Sequence, residues 1–139
     1  MWEVFLTNKL GFGWDQIHDI AEELEHVKSP LLIERLNEFL DFPTHDPHGD
    51  PIPDASGVID DYDSLTIHSL NTGDKAVIVG VNEQSPEFLQ YLDKMHLGIG
   101  TEIEVTENNT YDHSKTIFIK GAELFLSEKV CRNLVVKKV

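Results

Sequence analysis

The chain has one cysteine, Cys131, in 139 residues. That excludes an internal disulfide framework and a thiolate zinc cluster within one chain, and it makes a cytoplasmic setting the default expectation. No apolar run approaches 18 residues, so no membrane span is expected. Met1 is followed by neither a basic region nor a signal-like apolar stretch. Basic residues are scarce: 11 Lys and Arg face 25 Asp and Glu, a net charge of −14. An acidic surface repels phosphates, so this chain alone is not expected to bind DNA, whereas it suits cations. Catalytic signatures are missing as well. There is no GxSxG elbow, no HExxH and no phosphate-cradling glycine loop. Nor is there an internal repeat.

What is present is unevenly spread. Residues 1–63 hold 15 acids against 3 bases, and residues 64–139 hold 10 against 8. Four of the seven histidines, His18, His26, His45 and His48, lie in the acidic part. A hydrophobic content of 40% supports a folded chain, and the length allows one domain or two small ones.

Three helical segments come first. Trp2, Phe5, Leu6 and Leu10 follow helical spacing and end at Gly11, a plausible stop. No capping residue precedes this helix, so it reads as the tail of a longer one. A second helix is expected over Trp14–Val27. A third is expected to begin at Ser29-Pro30, an N-cap followed by proline at the first helical position, with Leu32, Leu36, Phe39 and Leu40 on one side. Residues 41–64 read as loop: Pro43, Pro47, Pro51 and Pro53 stop any helix, and the strings DASG and DDYD add turn signals. Beyond residue 64 the period changes. Lys75–Val81, Glu102–Thr106, Thr116–Lys120 and Leu134–Val139 read as strands, and Ser85–Met95 as a short helix capped by Ser85. Three helices in about 60 residues bury little surface, so Trp2, Phe5, Trp14 and Phe39 are expected to be covered by a second chain.

The candidate chemistry lies in two strings. On the second helix Ile17, Ile20, Ala21, Leu24 and Val27 form an apolar stripe at about 100° per residue. His18, Glu22, Glu25 and His26 share another face. Imidazoles and carboxylates at these spacings can aim at one point and hold a divalent ion. The same residues also suit the solvated face of an amphipathic helix. The second string is the Pro-stiffened loop from Pro43 to Pro53, where Asp46 and His48 alternate and can reach one ion. Its alternative is a polar, solvated turn. No donor in either string is sulfur, and such donors suit Mn²⁺ or Fe²⁺ without excluding Zn²⁺ or Co²⁺. Glu23-x-x-His26 matches the carboxylate-bridged di-iron motif, but only one copy is present. Cys131 reads as a packing residue.

These strings carry a resemblance. Through WEVFL, LGFGWDQIHDIAEELEHV and SPLLIERLNEFLDFPTHDPHGDPIP, residues 1–56 resemble the dimerisation and metal-binding domain of the diphtheria-toxin-repressor family, the iron- and manganese-dependent repressors of bacteria and archaea. Through LNTGDKAVIVGVNE, SPEFLQYLDKMHLGIGTEIEV and the closing strand, residues 65–139 resemble the family's SH3-like domain, akin to ferrous-transport accessory domains. The resemblance implies that Glu22, Glu25 and His26 are core-site ligands. Glu22 stands where iron sensors usually have Cys and manganese sensors Glu, which favours Mn²⁺ over Fe²⁺. It implies that Glu3 and His18 are ancillary ligands, and that Asp46 and His48 are a loop pair serving a secondary site. Glu83, or alternatively Glu87, falls near the position of a carboxylate offered by the SH3-like domain. The family begins with a winged helix-turn-helix carrying further core ligands, and this chain lacks one. The expectation is therefore a regulatory piece of a longer repressor.

The expected fold is α+β. A three-helix dimerisation domain with its Pro-rich loop covers residues 1–63, and a small SH3-like β-barrel with one short helix covers 64–139. The expected function is metal sensing and homodimerisation for a manganese- or iron-dependent repressor, with operator DNA bound only by the intact protein. The alternatives are a helical carboxylate enzyme, which needs a second metal-supplying helix, and an SH3-like peptide adaptor, which needs an aromatic-lined groove.

Overall fold

The computed structural model describes residues 1–52 and 65–139. Pro53, the strings DASG and DDYD, and the expected domain boundary at 63/64 lie outside the described residues. The chain divides into two compact units, Met1–Asp61 with Gln84–Tyr91, and Tyr62–Glu83 with Leu92–Val139.

The first unit is helical. Helix α1 spans Trp2–Asn8 and has no side-chain cap, as its sequence implies. It gives way to Gly11 at φ 76°, a conformation that costs glycine little. Helix α2 spans Ile17–Leu24, shorter than the expected 14–27. Its apolar period continues beyond both ends, but the hydrogen bonding changes. Gln16 N–H bonds Gly13 carbonyl ahead of the helix, while His26 and Val27 bond Glu23 and Leu24 in a tightened final turn. Helix α3 spans Pro30–Phe39, and its Ser29 cap accepts the Leu32 N–H. It closes when Phe42 N–H reaches Asn37 carbonyl, with Asp41 and Phe42 both at positive φ.

One apolar cluster holds these helices: Trp2 and Leu6 of α1, Ile17 and Ala21 of α2, and Leu36 of α3, ringed by Phe5, Ile20, Leu24, Ile33 and Leu40. Trp2 is only 8% exposed within this single chain. The expectation that Trp2 needs a second chain is therefore corrected: Phe5 packs on it edge to face at 6.1 Å, and the three helices bury it. Of the four residues in that expectation Phe39 is left in solvent, as are Leu10, Leu31 and Phe42.

The second unit is built on one six-stranded antiparallel sheet in the order β1-β6-β2-β3-β4-β5. The strands are β1 Leu65–Thr66, β2 Lys75–Val81, β3 Glu102–Asn108, β4 Lys115–Ile119, β5 Ala122–Leu126 and β6 Leu134–Lys138. Alternation sends Ala76, Ile78, Ile103, Val105, Ile117 and Val136 inward. Lys115 shares the inward register, and its Nζ is satisfied by the Leu70 carbonyl at 3.0 Å and Asn108 Oδ1 at 2.6 Å. A two-residue loop, Lys120 at φ 45° and Gly121 at φ 84°, joins β4 to β5, the type I′ geometry that matches strand twist.

Helix α4, Pro86–Lys94, is the expected short helix, capped by Ser85 Oγ on the Phe88 N–H. It is not the only one beyond residue 64. Helix α5 spans Glu128–Asn133, capped by Ser127, and a 3₁₀ turn covers Ile67–Ser69. The expected "one short helix" is corrected accordingly. Six residues are too few to show a helical period in sequence. Cys131 lies in α5 and is fully buried, and burial pushes its thiol up to about 11. That suits packing and not reactivity.

Candidate metal centre

Glu3, Asp46 and His48 offer donor atoms that all lie within 4.8 Å of one another. Glu3 is in the first turn of α1, and the other two come from the loop after α3. The loop is fixed by its own hydrogen bonds. Asp46 Oδ1 accepts the N–H groups of His48 at 2.9 Å and Asp50 at 3.0 Å. Asp46 N–H bonds Asp50 carbonyl, Ile52 N–H bonds Thr44 carbonyl, and Gly49 turns the chain at φ 86°. His45 and Pro51 face each other as an isolated bridge. Gln84 Nε2 donates to Asp50 Oδ2 at 2.7 Å, tying the loop's far end within the same unit.

His48 is 2% exposed, and its ring stacks on Trp14 with centroids 6.0 Å apart. Its Nε2 lies 2.9 Å from the Trp14 carbonyl oxygen. A carbonyl only accepts, so Nε2 carries the proton. In the neutral ring the lone pair is then on Nδ1, which stands 3.2 Å from Glu3 Oε2. That contact lacks hydrogen-bond geometry. Both atoms are buried, and neither has a hydrogen-bond partner among the described residues. A lone pair against a carboxylate oxygen is repulsive unless a cation stands between them, whether a proton or a metal. Two donors held side by side on one octahedral ion at about 2.1 Å are about 3 Å apart, so the spacing fits a divalent ion as well as a proton.

The electrostatics agree. The nearby His48 ring holds Glu3 below the usual carboxylate range against the effect of burial. Burial, helped by the charges of Asp50 and Glu3, pushes Asp46 above its usual range against the backbone N–H groups that it accepts. Burial alone pulls His48 down, but Glu3, the Trp14 carbonyl and Asp46 outweigh it and raise the imidazole above its usual value. The raised His48 marks a place where added positive charge is favoured, the lowered Glu3 is the counterpart of that ring, and the raised Asp46 reflects chiefly its burial.

The other expected ligands are placed differently. His18, Asp19 and Glu22 form a second donor group on the exposed face of α2. Glu25 caps the end of α2 and His26 follows it; both are exposed. Among the described residues, Glu22, Glu25 and His26 are not gathered as a trio at the spacing of the two groups above. Glu83 lies just after β2 in the second unit, and Glu87 lies in the first turn of α4. Two participants escaped the sequence reading. Asp19 sits between two weighed residues and was legible by spacing. The Trp14 carbonyl was not, because a backbone group leaves no residue-type signal.

Residues 1–54 match the family model for the iron dependent repressor metal binding and dimerisation domain, and residues 65–138 match that for the FeoA domain. The diphtheria toxin repressor of Corynebacterium glutamicum is 34% identical over 113 residues, covering 74% of this chain and 50% of that protein. A stretch of 53 residues, 38% of this chain, is 40% identical to a probable metal transport system membrane protein of Chlamydia trachomatis, of which it covers 12%. The chain thus spans half or less of these curated relatives. A solved manganese-dependent transcriptional repressor superposes with a TM-score of 0.87 at 30% identity, covering 99% of this chain and 76% of that one. No helix among the described residues is long and apolar enough to cross a membrane. With both of its units matched in order and its fold shared along nearly its whole length, the chain belongs to the diphtheria-toxin-repressor family of iron- and manganese-dependent transcriptional repressors.

Proposed function

We propose that this chain is the metal-sensing and dimerisation region of a manganese- or iron-dependent repressor, working in the cytoplasm and without catalytic activity. The observation that carries the reading is the buried approach of Glu3 Oε2 and His48 Nδ1, with Asp46 beside them. Glu3, Asp46 and His48 are the proposed ligands of one ion. His18 and Glu22 on α2, with Glu25 and His26 at its end, are the proposed protein share of a second, more exposed site. Carboxylate and imidazole donors without thiolate suit Mn²⁺ or Fe²⁺. When bound, the ion neutralises Glu3 and Asp46 and ties α1 to the loop after α3. The Trp14 carbonyl fixes the His48 tautomer and aims Nδ1, as a backbone acceptor behind a histidine ligand does.

Dimerisation is proposed through the exposed apolar groups of the helical unit, with operator DNA a partner only of a protein that also carries a DNA-reading domain. Calorimetry with Mn²⁺ on the whole chain tests the reading. Binding that is strong in wild type and weakened by Glu3→Ala supports it; binding indifferent to Glu3, Asp46 and His48 overturns it.

A further inference from the structure

Of the three imidazoles in the second unit, none of them used by the helical metal centre, two lie against each other. His68 lies in the 3₁₀ turn Ile67–Ser69, and His113 lies in the hairpin between β3 and β4. Their ring centroids are 6.0 Å apart at an interplanar angle of 72°. One ion bound to both rings at about 2.0–2.1 Å per nitrogen requires centroids roughly 5 to 6.5 Å apart. The observed separation is inside that span.

The backbone at His113 is held in place. His113 sits at φ 60°, a left-handed conformation that few residues other than glycine adopt. Asp112 Oδ1 fixes it by accepting the Ser114 N–H at 3.0 Å and hydroxyl at 2.6 Å, while Asn109 N–H bonds the Ser114 carbonyl. Such conformations persist only where their surroundings over-determine them. His68 Nδ1 is buried and has no hydrogen-bond partner among the described residues.

The charged neighbours are already committed. Arg132 places Nε and Nη2 on Glu128 Oε1 at 2.9 and 2.8 Å, and Lys115 is held by Leu70 and Asn108. Burial first, then Arg132, Lys115 and His113, hold His68 below its usual value against Glu128. The lowering favours the neutral ring, which carries the lone pair that a metal needs.

We propose that His68 and His113 ligate one divalent ion of the imidazole-preferring kind, Zn²⁺, Ni²⁺ or Cu²⁺, on the SH3-like unit. Glu128, which acts electrostatically on both rings, is its neighbouring carboxylate. Among the described residues no three donors gather here as closely as in the helical unit, so water completes the shell. Two imidazoles whose neighbouring carboxylate, Glu128, is engaged by Arg132 select against Mn²⁺, whose preference is for oxygen donors. The site thus differs in metal class from the carboxylate-rich centre of the first unit.

The test is a titration of the full chain with Ni²⁺ or Mn²⁺ alone, followed through the histidine ring signals in NMR. Ni²⁺ is expected to broaden His68 and His113 together, at concentrations where Mn²⁺ leaves them sharp. His113→Asn keeps a side chain that tolerates the left-handed conformation. It should raise the Ni²⁺ concentration that half-broadens His68 at least about tenfold, as loss of a ligand or its support does elsewhere. His68→Gln should do the same for His113, and retained backbone dispersion checks that each variant folds. The proposal fails if His68 broadens unchanged in His113→Asn. It also fails if neither ring responds below about 1 mM Ni²⁺, where any binding is too weak to count as a site.

Discussion

His48 Nδ1 stands 3.2 Å from Glu3 Oε2, two buried acceptor-bearing atoms that lack another partner among the described residues. Metal binding should depend on both. Glu3→Ala and His48→Gln are each expected to weaken Mn²⁺ binding by roughly 10–100-fold in calorimetry, the loss usual when a ligand set is broken. Glu22→Ala/His26→Ala should leave that event in place and remove only the weaker, more exposed one. Equal effects from all the variants would mean that the two sites are not separate.

The metal-free chain should respond to pH through the same pair. His48 is raised above its ordinary 6.5. Its contribution to stability is therefore fully present below 6.5 and is lost as pH rises through its folded value. The stability gap between wild type and His48→Gln, measured by urea unfolding without metal, should narrow as pH climbs above neutrality. Metal binding runs the other way. It competes with the His48 proton and should fall as pH drops through that raised value, beginning above 6.5. A gap that widens with rising pH would contradict the assignment.

Assembly should depend on the apolar groups that the fold leaves outside. Phe39 is 60% exposed and Leu31 63%. Sedimentation at tens of micromolar, a level suited to a weak-to-moderate interface, should show a homodimer in wild type and monomer in Phe39→Asp/Leu31→Asp. Trp2 is already covered within one chain, so a Trp2 variant should lower stability, by about 3–5 kcal/mol for Trp2→Ala. A wild-type chain that stays monomeric would remove dimerisation from the reading.

Operator binding should be absent from this chain at any metal level. With 25 acids against 11 bases and no recognition helix among the described residues, it has little with which to engage phosphates or base edges. A metal-dependent gel shift with the chain alone would refute this.

Local patterns announced much of this protein. Ser29 and Pro30 mark the start of α3, Gly11 follows α1, and the alternation of Lys75–Val81 declares a strand with one buried face. Such signals depend on neighbours within a few residues, so they survive in the sequence. The donor types were legible for the same reason: Asp46 and His48 sit two apart in a proline-stiffened loop. Strand β5, beyond the I′ turn at Lys120-Gly121, was missed. So was α5, whose six residues give no period.

Which donors meet was decided by the tertiary structure. Glu3 is 45 positions from His48, and nothing in either segment specifies the other. The packing of α1 against α2 and α3 around Trp2, Ile17 and Leu36 carries Glu3 to the loop. The same packing brings the Trp14 carbonyl under His48 and so selects the nitrogen that keeps its lone pair in the neutral ring. It also turned the expectation for Trp2 around, because a side chain's burial depends on all the surfaces that close over it and not on its own segment. Sequence alone determined the kinds of donor and the elements that carry them. The distances, the tautomer and the burial that turn three side chains into one candidate centre arise only when remote segments are fixed against each other.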